Sequence, residues 1–162
     1  MIRRVMLGFL VVTAFALSAS PGGEARGAMA AEDPWAAAHI DGLPPDIRRN
    51  LSKHARRCGG PKALHYFSRY LSPRGSRHQF VSLHFEEFSC RDRAAICTSE
   101  DCLHQVYVST GAGYRLVFEA RVKELELKII DGTPAIEISC AWPAGMECAR
   151  VLRWNGSAFV RR

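Results

Sequence analysis

The stretch that decides the fold is Phe80–Phe88, which reads FVSLHFEEF. In it the apolar residues Val81, Leu83 and Phe85 alternate with the polar residues between them. Strict alternation is typical of a β-strand that is buried on one face. The apolar residues before His78 recur at helical spacing instead, so the chain changes from helix to strand near this point. Helices followed by a run of strands predict the α+β class.

Two helices are predicted before this strand. The first covers Pro45–Cys58, where a proline suits the first turn and Ile47 and Leu51 lie on one apolar stripe. Gly59 ends it, since glycine is favoured just past a helix end. The second predicted helix covers Pro61–Leu71, whose apolar residues again recur at helical spacing.

The rest of the chain predicts short strands joined by hairpins. Asp131-Gly132 and Asn155-Gly156 each separate two alternating segments, and such pairs suit tight hairpin turns. The predicted fold is therefore α+β, with two N-terminal helices packed on an antiparallel β-meander of about six to seven strands, stapled by disulfides. The face away from the helices is expected to be solvated, because charges of both signs recur along it. These charges are Arg115, Glu119, Arg121, Glu124, Glu126, Lys128, Glu137 and Arg150.

The C-terminal segments VLRWNGSAFVRR, GYRLVFEA and GTPAIEIS carry a resemblance to a known group of proteins. This part of the chain resembles the tail of small exported bacterial proteins of unassigned function, which end in a hairpin of the R-W-N-G type. The resemblance covers roughly the last 50 residues and rests on hairpin chemistry. It implies a terminal antiparallel sheet and brings no catalytic residue with it.

The N-terminus predicts export. Residues 1–30 combine two early arginines, a short apolar run and a small-residue exit, which together are typical of a cleaved signal peptide. Residues 31–43 are expected to be a flexible leader, and 44–162 a single α+β domain. No later segment is long and apolar enough to span a membrane. The predicted location is periplasmic or secreted, with the oligomeric state left open.

The cysteines indicate disulfides rather than a metal or redox centre. All six lie after the predicted signal peptide, and an exported chain meets conditions in which thiols pair. The chain has neither the C-x2-C knuckle of structural zinc sites nor a redox C-x-x-C motif. More than one connectivity is possible, and the sequence does not select among them. Loop geometry favours the pairs Cys58–Cys90, Cys97–Cys102 and Cys140–Cys148.

The positive charge is concentrated in the helical part of the chain. Residues 34–80 hold nine basic and two acidic residues, a net charge of +7, whereas the remainder to the C-terminus is close to neutral. This basic segment is either a docking face or an ordinary solvated helix face. As a docking face, this segment would bind an anionic component of the cell envelope or another protein. Nucleic acid is not predicted, since no basic motif with interleaved aromatic residues occurs. The anion-binding candidates are Arg48, Arg49, Lys53, Arg56 and Arg57.

No catalytic residue and no cofactor are predicted. Ser82, His84 and Glu86 resemble a triad in composition, but residues two apart on a strand project in parallel, which predicts a wet strand face instead. His84 and His104, with Asp101 nearby, are the weak candidates for metal ligands. Hydrogen-bonded histidines without a metal are the expected alternative.

Three functions remain open at this stage. The first is a non-enzymatic exported binding protein that docks through its basic helical segment. The second is an inhibitor of a secreted hydrolase that presents the loop between Cys90 and Cys102, because little entropy is lost when a rigid loop docks. The third is a small hydrolase that uses His84 or His104, which requires two of the side chains His84, Glu86, Asp101 and His104 to converge in a pocket.

Overall fold

The computed structural model describes residues 34–139 and 150–161, and every structural statement below concerns that part of the chain. Two helices are present, α1 (Ala38–Asp41) and α2 (Pro45–Cys58). The eight strands of this part are β1 (Ser68–Leu71), β2 (Phe80–His84), β3 (Cys102–Thr110), β4 (Gly113–Val122), β5 (Glu124–Ile130), β6 (Thr133–Ser139), β7 (Arg150–Trp154) and β8 (Phe159–Val160).

The strands form two antiparallel sheets of four, in the orders β1-β2-β3-β4 and β5-β6-β7-β8. The mixed α+β class and the antiparallel pairing predicted from the sequence are confirmed. The expected single meander is wrong in detail, because the chain passes from one sheet to the other between β4 and β5. Helix α2 covers one face of β2 and β3 and the second sheet covers the other, whereas one flat meander would leave a face in water.

Alternate residues of the first sheet enter two separate cores. Val81 and Leu83 pack on the side of α2, together with Ile47 and Leu51. The opposite face of the sheet meets the second sheet. The apolar residues buried between the two sheets include Phe80, Val106, Val108, Leu125, Ile136 and Trp154.

Helix α2 has the predicted bounds. Its first turn contains Pro45, and Gly59 follows its end in the left-handed conformation at φ 78°. Ile47 and Leu51 are buried at the predicted spacing. The Asp46 carboxylate pairs with Arg49 and accepts a hydrogen bond from the backbone N–H of Tyr114 at 3.0 Å, which fixes the helix against the β3–β4 turn.

The predicted second helix over Pro61–Leu71 is wrong. This segment contains a short 3₁₀ turn, His65–Phe67, and then the edge strand β1. Leu64 donates its backbone N–H to Glu87 O at 2.9 Å, and the residues of β1 pair with β2. A helix here would leave the edge of β2 unpaired, so pairing outweighs the weak helical preference of the segment.

Residues 38–43, which the sequence assigns to a leader, pack against the rest of the domain. Ile40 and Leu43 are buried beside α2, and a ring nitrogen of His39 lies 2.8 Å from Ala63 O. The segment is too short to show a periodic pattern, so the sequence does not predict that Ile40 and Leu43 are buried. The predicted signal peptide over 1–30 lies outside the described residues.

The charged residues expected on one solvated sheet face are divided between the two sheets. Glu119 belongs to the first sheet, where it accepts a hydrogen bond from Gln105 at 2.5 Å. Glu126 and Glu137 belong to the second sheet and both pair with Lys128. A β-bulge opposite Val106 and Tyr107 also shifts the register of β4, so that Leu116 packs in the core beneath α2 and Phe118 in the core between the sheets.

Within residues 34–139 and 150–161 two disulfides are present, and both have the pairings that loop geometry favours. Cys58–Cys90 joins the end of α2 to the segment after β2, and Cys97–Cys102 closes the loop before β3. The third expected pair, Cys140–Cys148, lies outside the described residues. The Asp-Gly hairpin is as predicted, since Asp131 and Gly132 both have positive φ angles of 51° and 73°. None of the described helices has the length and apolarity needed to cross a membrane.

A buried polar network lies beneath α2. Asn50 Nδ2 donates to the Tyr107 hydroxyl at 2.7 Å, and that hydroxyl donates to Gln105 Oε1 at 2.8 Å. Gln105 Nε2 then donates to Glu119 Oε2. Each buried member therefore has a partner, and the network ties the helix to β3 and β4.

Candidate functional sites

The outward face of α2 presents the five predicted anion-binding candidates. The helix buries Ile47, Leu51 and Cys58 against the first sheet, so the remaining faces point to solvent. Asp46 is the one acidic residue in the helix, and its carboxylate is engaged by Arg49 and the Tyr114 N–H. The exposed cations on this face are Arg48, Arg49, Lys53, Arg56 and Arg57.

A second candidate site lies on the other side of the first sheet, where two histidines meet. The antiparallel register of β2 and β3 places His84 directly opposite His104. Glu86 follows in the 3₁₀ turn Phe85–Glu87, which bends the chain back toward the two rings. Donor atoms of His84, Glu86 and His104 all lie within 4.8 Å of one another.

The carboxylate of Glu86 reaches both rings. Its Oε1 lies 3.6 Å from His84 Nδ1, and its Oε2 lies 3.5 Å from His104 Nε2. The rings themselves meet edge to face, with centroids 5.2 Å apart. Ser82 Oγ hydrogen-bonds the other nitrogen of His84, Nε2, at 2.9 Å, which orients that ring.

Burial determines the protonation of this cluster. His104 is fully buried and His84 is 2% exposed. Burial lowers the pKa of His104 to about 4, although the Glu86 charge and the nearby Val122 backbone act in the opposite direction. Burial alone would raise the pKa of Glu86, but the contacts of its carboxylate with the His84 and His104 rings outweigh this effect, and the pKa is lowered. At neutral pH the cluster therefore holds a neutral His104 ring beside an ionised carboxylate.

The prediction that Ser82, His84 and Glu86 form a wet strand face is wrong. Every residue of β2 is buried, because the second sheet covers the face that the sequence assigned to water. The three side chains also converge, since the long imidazole reaches back to Ser82 and the 3₁₀ turn brings Glu86 round. They do not form a hydrolytic triad that a substrate could reach, because the Ser82 side chain is fully buried.

The weak metal candidates His84 and His104 are brought together, but their carboxylate partner differs from the one considered. Asp101 is not part of the cluster, and its backbone O accepts hydrogen bonds from Thr98. The sequence signal for Glu86 is its period-two spacing from His84, which places both residues on one strand face. The sequence predicts that this face is solvated, because it carries no local sign of the second sheet.

A cleft of about 440 Å³ opens beside the cluster. His84 and Glu86 line its floor, and residues of β1, β5 and β6 form its walls. The cluster is therefore connected to solvent through the side of His84 and Glu86. The wall residues are Arg69, Glu124, Leu125, Glu126, Glu137 and Ser139.

No family model, curated protein or solved structure matches this chain. What the two sites do is therefore argued from their own geometry.

Proposed function

We propose that this chain is an exported, disulfide-stabilised binding protein of the cell envelope that docks on an anionic partner through the exposed face of α2. The observation that carries the proposal is the charge of that face. Five cationic side chains project from one helix whose single acid is already engaged. A dense array of one sign attracts an anionic surface, and the attraction extends over about a Debye length.

The position of the face supports a docking role. The apolar stripe of α2 is fully used against the first sheet, and Asp46 and Asn50 anchor the helix to that sheet. The helix backbone is therefore held in place, and the cationic side chains point to solvent and take no part in core packing. A rigid presenting surface loses less conformational entropy on binding than a disordered basic tail does.

The disulfides support the exported part of the proposal. Cys58–Cys90 closes a long loop and Cys97–Cys102 a short one, and such bonds form and persist in oxidising compartments but are rare in the cytosol. Cys58–Cys90 also pins the C-terminal end of α2, next to Arg56 and Arg57. The same bond therefore stabilises the fold and holds the docking face in place.

The test compares two triple variants that lose the same charge. One variant carries Arg48→Gln, Lys53→Gln and Arg56→Gln on α2, and Arg49 is kept because it pairs with Asp46. The matched control carries the same change at three exposed arginines outside the helix, Arg74, Arg77 and Arg150. Circular dichroism establishes that both variants are folded.

Binding is measured by co-sedimentation with vesicles containing phosphatidylglycerol, and with neutral vesicles as a reference. Each basic residue near an anionic membrane surface contributes about 1 kcal/mol, so the helix variant should bind on the order of 100-fold more weakly. The control variant should change by less than about threefold, and raising the salt concentration should release the wild type. Equal losses in the two variants, or binding that ignores salt, would refute a docking face on α2.

A further inference from the structure

We infer that His84, Glu86 and His104 form a binding site for a divalent transition-metal ion of the zinc class. The site is separate from the proposed docking face, since α2 packs against the opposite side of the first sheet. It goes beyond docking, because it gives the chain a second and chemically different ligand.

The donor set selects the class of metal. Two imidazole nitrogens and one carboxylate oxygen are the ligands of many zinc and other transition-metal sites, whereas Mg²⁺ and Ca²⁺ prefer oxygen donors alone. The cluster thus supplies the donor types of a zinc-class site.

The spacing of the donors is close to that around a bound ion. Bond lengths near 2.0–2.2 Å in a tetrahedral site place neighbouring donors about 3.4 Å apart. The His84–Glu86 and His104–Glu86 separations are 3.6 and 3.5 Å. All three donors lie within 4.8 Å of one another, so small side-chain rotations would bring them onto one ion.

Ser82 occupies the position expected of an outer-shell residue. In metal sites a ligating histidine usually hydrogen-bonds through its second ring nitrogen, which fixes the ring and its tautomer. Here Ser82 Oγ forms a hydrogen bond with Nε2 of His84 at 2.9 Å, and Nδ1 of the same ring faces Glu86. The Ser82 contact thereby fixes the ring with Nδ1 directed at Glu86.

Unpaired buried atoms give an independent reason for a ligand. Glu86 Oε2 and both ring nitrogens of His104 are buried and have no well-formed hydrogen bond within the described part of the protein. A buried polar group without a partner costs about 1–3 kcal/mol. An ion bound between Glu86 and His104 would satisfy two of the three atoms at once, and the adjoining cleft provides access.

The experiment uses untagged, oxidised protein that has been treated with iodoacetamide and freed of metal with a chelator. Zn²⁺ binding is measured by isothermal titration calorimetry, and Co²⁺ is used as a spectroscopic probe of the ligand geometry. We expect one Zn²⁺ per chain and a visible Co²⁺ spectrum typical of four- or five-coordinate nitrogen and oxygen ligands. Ca²⁺ and Mg²⁺ should not compete at equal concentration.

Two ligand variants and two controls identify the residues. Glu86→Gln keeps the shape of a half-exposed side chain and should weaken Zn²⁺ binding at least tenfold. His104→Leu should weaken it about 100-fold or more. The controls His78→Gln and Glu124→Gln change a histidine outside the cluster and a cleft carboxylate that is not in the ligand set, and they should leave the affinity unchanged.

The inference is overturned if the wild type shows no saturable binding near one ion per chain. It is equally overturned if Glu86→Gln and His104→Leu, both verified as folded, bind Zn²⁺ as the controls do. Preferential binding of Ca²⁺ would also contradict it, because that result would place the ion among carboxylates alone.

Discussion

Neighbouring residues of β3 place two buried polar side chains on opposite faces of one sheet. Gln105 faces α2, is 1% exposed and has partners at both ends of its amide. His104 faces the second sheet, is fully buried and has no well-formed hydrogen bond. The difference shows that burial alone does not define the role of a polar group. A group with all its partners stabilises the fold, and a group without them is suited to a ligand.

Gln105→Leu is expected to have the largest effect. It removes the acceptor of the Tyr107 hydroxyl in a buried setting, so the free energy of unfolding should fall by about 2–3 kcal/mol. Urea titration measures this. A loss below about 0.5 kcal/mol would mean that the network beneath α2 contributes little, and the contrast between the two faces would disappear.

The helix-side network should also respond to alkaline pH. Burial raises the pKa of Tyr107 to about 12, while the hydrogen bond from Asn50 opposes the shift. Because the folded pKa exceeds the unfolded value of about 10, this contribution is complete below pH 10 and is lost as the pH rises toward 12. The free energy of unfolding of the wild type should fall by about 2 kcal/mol more than that of Tyr107→Phe over this range. Parallel pH profiles for the two proteins would be the contrary result.

His104→Leu should act in the opposite direction to Gln105→Leu. The change breaks no well-formed hydrogen bond and replaces unpaired nitrogens with apolar atoms, so metal-free protein should gain about 1 kcal/mol of unfolding free energy. The measurement is a urea titration with chelator present. A loss comparable to that of Gln105→Leu would show that the apo protein satisfies His104 through contacts of its own.

The sequence predicted the elements that local patterns determine. Helix α2 and the Asp131-Gly132 hairpin follow from spacing and turn chemistry, which act over a few residues. The pairings Cys58–Cys90 and Cys97–Cys102 follow from which elements the loops join.

The remaining features depend on tertiary contacts. Strand β1 replaced a predicted helix because it pairs with β2, and pairing between distant segments leaves no local signature. The same reason explains why the sequence does not predict the cluster of His84, Glu86 and His104. Two of its members were considered as ligands, but their burial depends on a second sheet that the alternating pattern of a single strand cannot reveal.

Lys123 is the one residue between β4 and β5, and its backbone N–H donates to Ser139 O at 3.1 Å. Lys123 therefore joins the two sheets without an intervening loop, and its hydrogen bond reaches Ser139 in the cleft wall. A displacement of Ser139 would alter this hydrogen bond. The hydrogen-exchange rate of the Lys123 amide, measured by NMR, should therefore change when the cleft wall moves, even if a ligand does not contact Lys123.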